Sequence, residues 1–221
     1  MCAREIRALA THAGIAAGVS VLDLCCGVAG PGRFITRELG CTYLGVDLNP
    51  SAIDVARRGA GDLPCRFEVS WIPPIRPGPF DVVLLLETML AFPEKEALLQ
   101  AISAALTTGG RFAFTMEEGV PLTQDERESM PDADTVWLTP LDEMTTYLER
   151  AGLVVAWHED HSRAHCAIAQ ALADAFAVDA ENIAAQIGRR ALEDLLAAHR
   201  LWVEWLGGGR VRKLALVAER A

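Results

Sequence analysis

The residues best suited to chemistry near the start of this 221-residue chain are glycines and carboxylates. Asp23-Leu24-Cys25-Cys26-Gly27-Val28-Ala29-Gly30-Pro31-Gly32 places residues without bulk where a backbone must approach a ligand closely. The spacing Gly27-x-x-Gly30-x-Gly32 departs from the G-x-G-x-x-G of dinucleotide-binding loops. Asp23, just ahead of that loop, would repel a pyrophosphate but can accept a hydrogen bond from a cationic amino group or an ordered water. Asp47 follows Gly27 by 20 residues, a separation from which a carboxylate can take both ribose hydroxyls of an adenosine ligand. Further on, Glu87, Glu117 and Glu118 follow apolar runs and are candidates to hold a cationic acceptor or remove its proton.

Histidines and tryptophans add a second group. His158, His161 and His165 cluster, with the last two at i and i+4, a spacing that suits a metal or a base. No third ligand motif accompanies them, so no metal is expected, and His161 stands as the candidate base. Trp202 and Trp205, with His199, offer an aromatic wall for a substrate. Ile168, Leu172, Phe176, Ile183, Ile187 and Leu195 recur at helical spacing and are expected to be core.

These groups need elements to hold them. Residues 19–25 read as a buried strand, 33–39 as a helix, 42–47 as a second strand, and Pro50 opens a second helix. A weaker strand is expected near 65–70, then a strand over 80–86, a helix over 94–106 and, after Gly109-Gly110, a strand over 111–116. Strands alternating with helices imply βαβ units and a doubly wound parallel sheet. Residues 117–139 are polar and read as a long loop, followed by a helix over 141–151 and a strand over 153–158. The stretch 162–206 reads as helical with a break at Asp179, and Gly207-Gly208-Gly209 turns into a last strand over 211–218. Ligands of such sheets sit outside the carboxyl ends of the strands. The insertions 117–139 and 159–210 leave from that face and are expected to form a lid over the substrate.

Composition narrows the classes. With 51% hydrophobic and 23% charged residues the chain is an ordinary globular one, which excludes disordered, collagen-like and coiled-coil architectures. Its length fits one domain, 1–221. A net charge of -10 disfavours nucleic acid and anionic membranes as partners. No apolar run of membrane-spanning length and no signal-peptide pattern is present, and the six cysteines lack a CxxC pair. A cytoplasmic chain with reduced thiols is expected; nothing in the sequence fixes an oligomeric state.

In order along the chain, Val21 to Gly30, Leu44-Gly45-Val46-Asp47-Leu48-Asn49-Pro50, Phe80-Asp81-Val82-Val83 and Leu106-Thr107-Thr108-Gly109-Gly110-Arg111 resemble the class I S-adenosylmethionine (SAM)-dependent methyltransferases. The resemblance covers roughly residues 15–120, and the ordered combination is more specific than any piece. It implies a Rossmann-like sheet of seven strands with the last antiparallel, a helical lid inserted before that strand, and SAM as cofactor. Cys25 stands where the family commonly has glycine. By the same resemblance Asp23, Cys25, Gly27, Gly30, Asp47, Leu48, Ser70, Trp71 and Glu87 line the cofactor site, with Val69 in place of the usual adenine-binding aspartate. The stretch 80–95 looks like the small-amine and quinone methyltransferases, notably the glycine and sarcosine N-methylating type. There an acid, an aromatic and a histidine follow the strand; here Glu87 and Met89 take the first two places and Ala91 the third.

The expected function is methyl transfer from SAM to a small-molecule acceptor, nitrogen before oxygen or carbon because carboxylates dominate the rim. Glu87, Glu117 and His161 are the catalytic candidates, with Met89 and Trp202 on the substrate. Three rivals stand beside it: an NAD-linked reductase, a SAM-binding protein used for another reaction, and a methyltransferase acting on a macromolecule. Trp71-Ile72-Pro73-Pro74 invites comparison with the proline-aromatic box of nucleic-acid amino methyltransferases, but that box belongs after the fourth strand, so the match is a decoy.

Overall fold

The computed structural model describes residues 1–221. Four apolar runs dominate its centre: β1 (Ser20–Leu24), β2 (Thr42–Asp47), β4 (Phe80–Leu85) and β5 (Leu106–Glu118). Val21, Leu22, Val83, Leu84, Phe112 and Phe114 are all buried, as strands covered on both faces require. With β3 (Cys65–Val69), β6 (Leu153–Asp160) and β7 (Arg212–Arg220) they form one seven-stranded sheet in the order β3-β2-β1-β4-β5-β7-β6. The pairings β3-β2, β2-β1, β1-β4 and β4-β5 are parallel, and β7 runs antiparallel, as the family resemblance implied. The order reverses between β1 and β4, and the crevice outside the carboxyl ends of those strands is where sheets of this kind take ligands.

The helices follow the strands: α1 (Ala3–His12) precedes β1, α2 (Gly30–Leu39) follows it, α3 (Pro50–Ala60) follows β2, and α4 (Lys95–Ala105) follows β4. Asn49 starts α3 by accepting from the backbone N–H groups of Ser51 and Ala52 at 2.9 and 3.3 Å, and Pro50 fits the first turn because that turn needs no N–H there. α6 (Leu141–Arg150) buries Met144 and Leu148, while α4 buries Leu98, Leu99 and Ile102. Each such side chain contributes about 1.5–3 kcal/mol by leaving water.

Three boundaries differ from expectation in the sheet half. α1 was not anticipated; Leu9 and Ala10 bury its inner face, and Glu5 bonds the Cys2 backbone N–H at 2.8 Å to fix its start. α2 begins at Gly30 rather than Arg33. β5 begins at Leu106, before Gly109-Gly110: Phe80 pairs with Leu106 and Val82 with Arg111, so residues 107–110 bulge from the strand. Gly109, at φ 72°, supplies the left-handed residue of that bulge.

The chain divides into two compact units. One comprises Met1–Met116, Asp142–Glu159 and Ala215–Ala221; the other comprises Glu117–Leu141 and Asp160–Leu214. In the second unit the expected loop 117–139 contains a helix, α5 (Gln124–Ser129). Its signal is a reciprocal cap: Thr123 Oγ1 accepts from Glu126 N at 3.3 Å, and Glu126 Oε2 accepts from Thr123 N at 2.7 Å. Arg210 closes on Glu126 through two nitrogens at 2.6 and 2.8 Å. That guanidinium, chiefly, draws the Glu126 carboxyl down to about 2.

Three helices complete this unit: α7 (Ser162–Val178), α8 (Ala180–Ile187) and α9 (Arg189–Gly207). The break at Asp179 is where it was expected. A second break falls at Gly188, whose φ of 91° no helix tolerates. The expected core stripe is only partly inside: Ile168, Leu172 and Ile187 are exposed and Phe176, Ile183 and Leu195 half-buried, while Ala169, Ala173, Leu192 and Trp205 are buried. Successive residues lie about 100° apart around a helix. α7 turns its small Ala169/Ala173 seam inward, which swings the larger residues one position earlier out to solvent. No helix is long and apolar enough to cross a membrane.

Candidate functional site

The carboxyl end of β1 is bent by three left-handed residues, Cys25 (φ 57°), Gly27 (φ 53°) and Ala29 (φ 54°). Two of these carry a Cβ, each costing about 1–2 kcal/mol over a right-handed residue, a strain typical of loops shaped around a ligand. A Cβ added at Gly27 or Gly30 would meet nothing within 4 Å, so open space lies over both. Gly32 is different: a Cβ there would come within 2.1 Å of the Tyr43 ring. The third glycine of the motif serves packing.

Tyr43 was not singled out in the sequence, yet its hydroxyl donates to Asp23 Oδ2 at 2.5 Å. Asp23 is 3% exposed. Burial pushes its carboxyl up to about 7, the Asp47 charge adds to the rise, and the Tyr43 bond opposes it. The sequence signal was the register: Asp23 pairs with Gly45, two residues beyond Tyr43 on β2, so the two side chains share a face.

Asp47 closes β2 with both oxygens engaged. Gly27 N donates to Oδ2 and Asn49 N to Oδ1, each at 2.8 Å. Two backbone donors orient the carboxylate and leave each oxygen a further acceptor position. Ser70 N donates to the Asp47 carbonyl at 3.0 Å, which brings the start of the β3–β4 connection beside it. Leu48 and Trp71 are exposed, Trp71 at 70%. Burial, then the Asp47 charge, pushes the Cys25 thiol up to about 11, so it stays protonated.

At the end of β4, Glu87 also lies at positive φ, 63°. Its N–H donates to Thr115 Oγ1 at 2.7 Å, and that hydroxyl donates back to Glu87 Oε1 at 3.2 Å. Thr115, buried in β5, is a second residue the sequence reading missed; its signal was a lone hydroxyl within Phe112-Ala113-Phe114-Thr115-Met116. Met89 is fully buried, in a short 3₁₀ turn over 89–91. His158 is exposed on β6.

The remaining candidates lie in the second unit. Glu117 is no solvated rim charge: Lys213 Nζ lies 2.5 Å from its Oε1, and the two side chains are 2% (Lys213) and 10% (Glu117) exposed. Glu117 Oε2 is buried without a hydrogen-bond donor. Glu118 is tied to Arg212 at 2.8 Å. Glu117 and Glu118 therefore give no support to a cationic acceptor, because β7 supplies a cation to each. His161 is buried, and its backbone N–H donates to the Lys213 carbonyl at 2.8 Å. Trp202 and Trp205 meet edge to face with centroids 5.4 Å apart, Trp205 buried and Trp202 half-buried. His199 Nδ1 lies 2.8 Å from the Leu195 carbonyl within its own helix.

The sheet order with its antiparallel β7 is that of the class I SAM-dependent methyltransferase fold. Residues 21–110 match a methyltransferase-domain family, which assigns that stretch its domain. The chain is similar to the sterol 24-C-methyltransferase of Eremothecium gossypii, 33% identical over 133 residues. That match takes in 56% of this chain but 36% of the relative, so the chain spans well under two thirds of its length. Among solved structures it superimposes on one described as a putative sarcosine dimethylglycine methyltransferase, from Galdieria sulphuraria. There the TM-score is 0.87 at 16% identity, over 99% of this chain and 85% of that one. It also superimposes on the [4+2]-cyclase SpnF with a TM-score of 0.80 at 18% identity, over 98% of this chain and 80% of that one.

Proposed function

We propose that this protein transfers the methyl group of SAM to a small-molecule acceptor. The observation that carries the reading is Asp47, a carboxylate fixed by Gly27 N and Asn49 N with acceptor capacity left on both oxygens. It fits a ribose diol, and the open space over Gly27 and Gly30 fits close approach of the rest of the cofactor. Bound there, SAM supplies an activated methyl on a sulfonium, whose in-line displacement removes positive charge.

The chain's own work is alignment and exclusion of water. Asp47 holds the ribose, the Asp23–Gly30 loop the amino-acid end, and Leu48, Ser70 and Trp71 the adenine. Glu87, held by Thr115, orients the acceptor or takes its proton. Met89, in the same unit as Asp47 and Glu87, lies against the acceptor's body. Nitrogen remains our first choice of acceptor atom, before oxygen and carbon.

The test is a screen of candidate metabolites with SAM and mass detection. A product heavier than its substrate by one CH₂ supports the proposal. A second reading, SAM binding in the service of another reaction, draws on Ala91 where the small-amine group has histidine, and on the likeness to a cyclase. A converted substrate without that mass gain favours it.

A further inference from the structure

The connection from β3 to β4 contains no helix. Ten residues, 70–79, leave the carboxyl end of β3 and reach the amino end of β4, four of them prolines: Pro73, Pro74, Pro77 and Pro79. They must cross the sheet, because parallel strands start at the same edge. A covering helix is about 10–12 Å thick with its side chains; an extended proline-rich strap is thinner and fixed in φ. The sheet beneath is left with a groove of about 550 Å³ near the amino ends of β1 to β4. That volume lies in the range of small-molecule pockets, and the groove lies at the opposite end of these strands from Asp23, Asp47 and Glu87.

Its walls have a definite chemistry. Leu44, Pro64 and Phe80 offer apolar surface. Arg76, on the strap, is paired with Glu68 of β3, so these two charges cancel. Arg66 is left over. It lines the same groove, is exposed, and its guanidinium makes no ion pair or hydrogen bond to the protein. A groove with one uncompensated guanidinium, in a chain of net charge -10, is a local exception to the acidic field.

We propose that this groove binds a small organic anion: a carboxylate, sulfonate or phosphate head on Arg66, with a flat apolar body along Leu44, Pro64 and Phe80. A guanidinium suits planar oxyanions because it presents paired N–H donors. The site is independent of the methyl-transfer reading and stands or falls separately.

The probe is 1-anilinonaphthalene-8-sulfonate, a sulfonate on an aromatic body, followed by its fluorescence with the full chain. Arg66→Ala and Arg66→Glu should each weaken binding by about tenfold or more, the loss expected for one charged hydrogen-bond donor. Arg58→Glu, the same charge change at an exposed residue of α3, should leave affinity within about twofold, since exposed charges are screened over a Debye length. Melting curves followed by circular dichroism confirm that each variant is folded. Unchanged probe affinity in both Arg66 variants, or an equal loss in Arg58→Glu, overturns the proposal.

Discussion

Replacing Asp23 with Asn should make the protein more stable at neutral pH and remove part of its pH dependence. Asp23 is 3% exposed and its carboxyl is raised from 3.8 to about 7, mainly by burial. A carboxyl whose folded pKa lies above its unfolded one binds more protons when folded. Its contribution to stability is therefore complete below the unfolded value and is lost as pH rises through the folded one. The window runs from about pH 4 to pH 7. Within it Asp23 lowers stability by up to about 1.4 kcal/mol per pH unit, or about 4 kcal/mol across the whole interval. Asn cannot ionise, and its amide oxygen can still accept the Tyr43 hydroxyl. Urea denaturation of wild type and Asp23→Asn at intervals from pH 4 to 8 isolates the effect as a difference between the two proteins. The difference should be near zero or slightly unfavourable to Asn at pH 4, and should favour Asn by a few kcal/mol at pH 8. A difference that stays flat across this range refutes the reasoning, since it would mean that burial does not hold the proton on Asp23.

Three further outcomes are expected. Asp47→Ala deletes the carboxylate we propose as acceptor for two ribose hydroxyls, each bond worth about 1.5–3 kcal/mol. Calorimetric affinity for S-adenosylhomocysteine should fall by about 10²–10⁴-fold, and an unchanged value refutes the ribose assignment. Gly32→Ala drives a methyl to within 2.1 Å of the Tyr43 ring, which should cost about 1–3 kcal/mol in urea denaturation; Tyr43→Leu in the same chain should recover part of it. Lys213→Met leaves Glu117 buried without its cation, at a cost of about 3–5 kcal/mol, and adding Glu117→Leu should restore most of the loss.

The sheet half was legible because its strands are apolar runs with β-branched residues between glycine and proline punctuation, and its acids fall at strand ends. Asp47 lies where the 20-residue spacing from Gly27 puts it. The partners of these acids were not legible, because they are set by register and not by local sequence. Tyr43 meets Asp23 across β1 and β2, and Thr115 meets Glu87 across β4 and β5. The second unit was read least well. Lys213 and Glu117 are 96 residues apart, so no window of sequence reveals their pairing. Helical periodicity in α7 located an apolar face at Ile168 and Leu172, but alanines let helices approach closely, and Ala169 and Ala173 took the inside. Gly109-Gly110 misled in the same way: a glycine pair ends a strand or bulges it, and the register with β4 decided for the bulge.

The central claim is that the bent β1 loop and Asp47 hold SAM. Its most direct test is calorimetric titration of the unaltered chain with SAM, with S-adenosylhomocysteine and, separately, with NADH. Saturable binding of SAM and S-adenosylhomocysteine, with no heat from NADH, is the predicted result. Binding of NADH, with neither SAM nor S-adenosylhomocysteine bound, would contradict it.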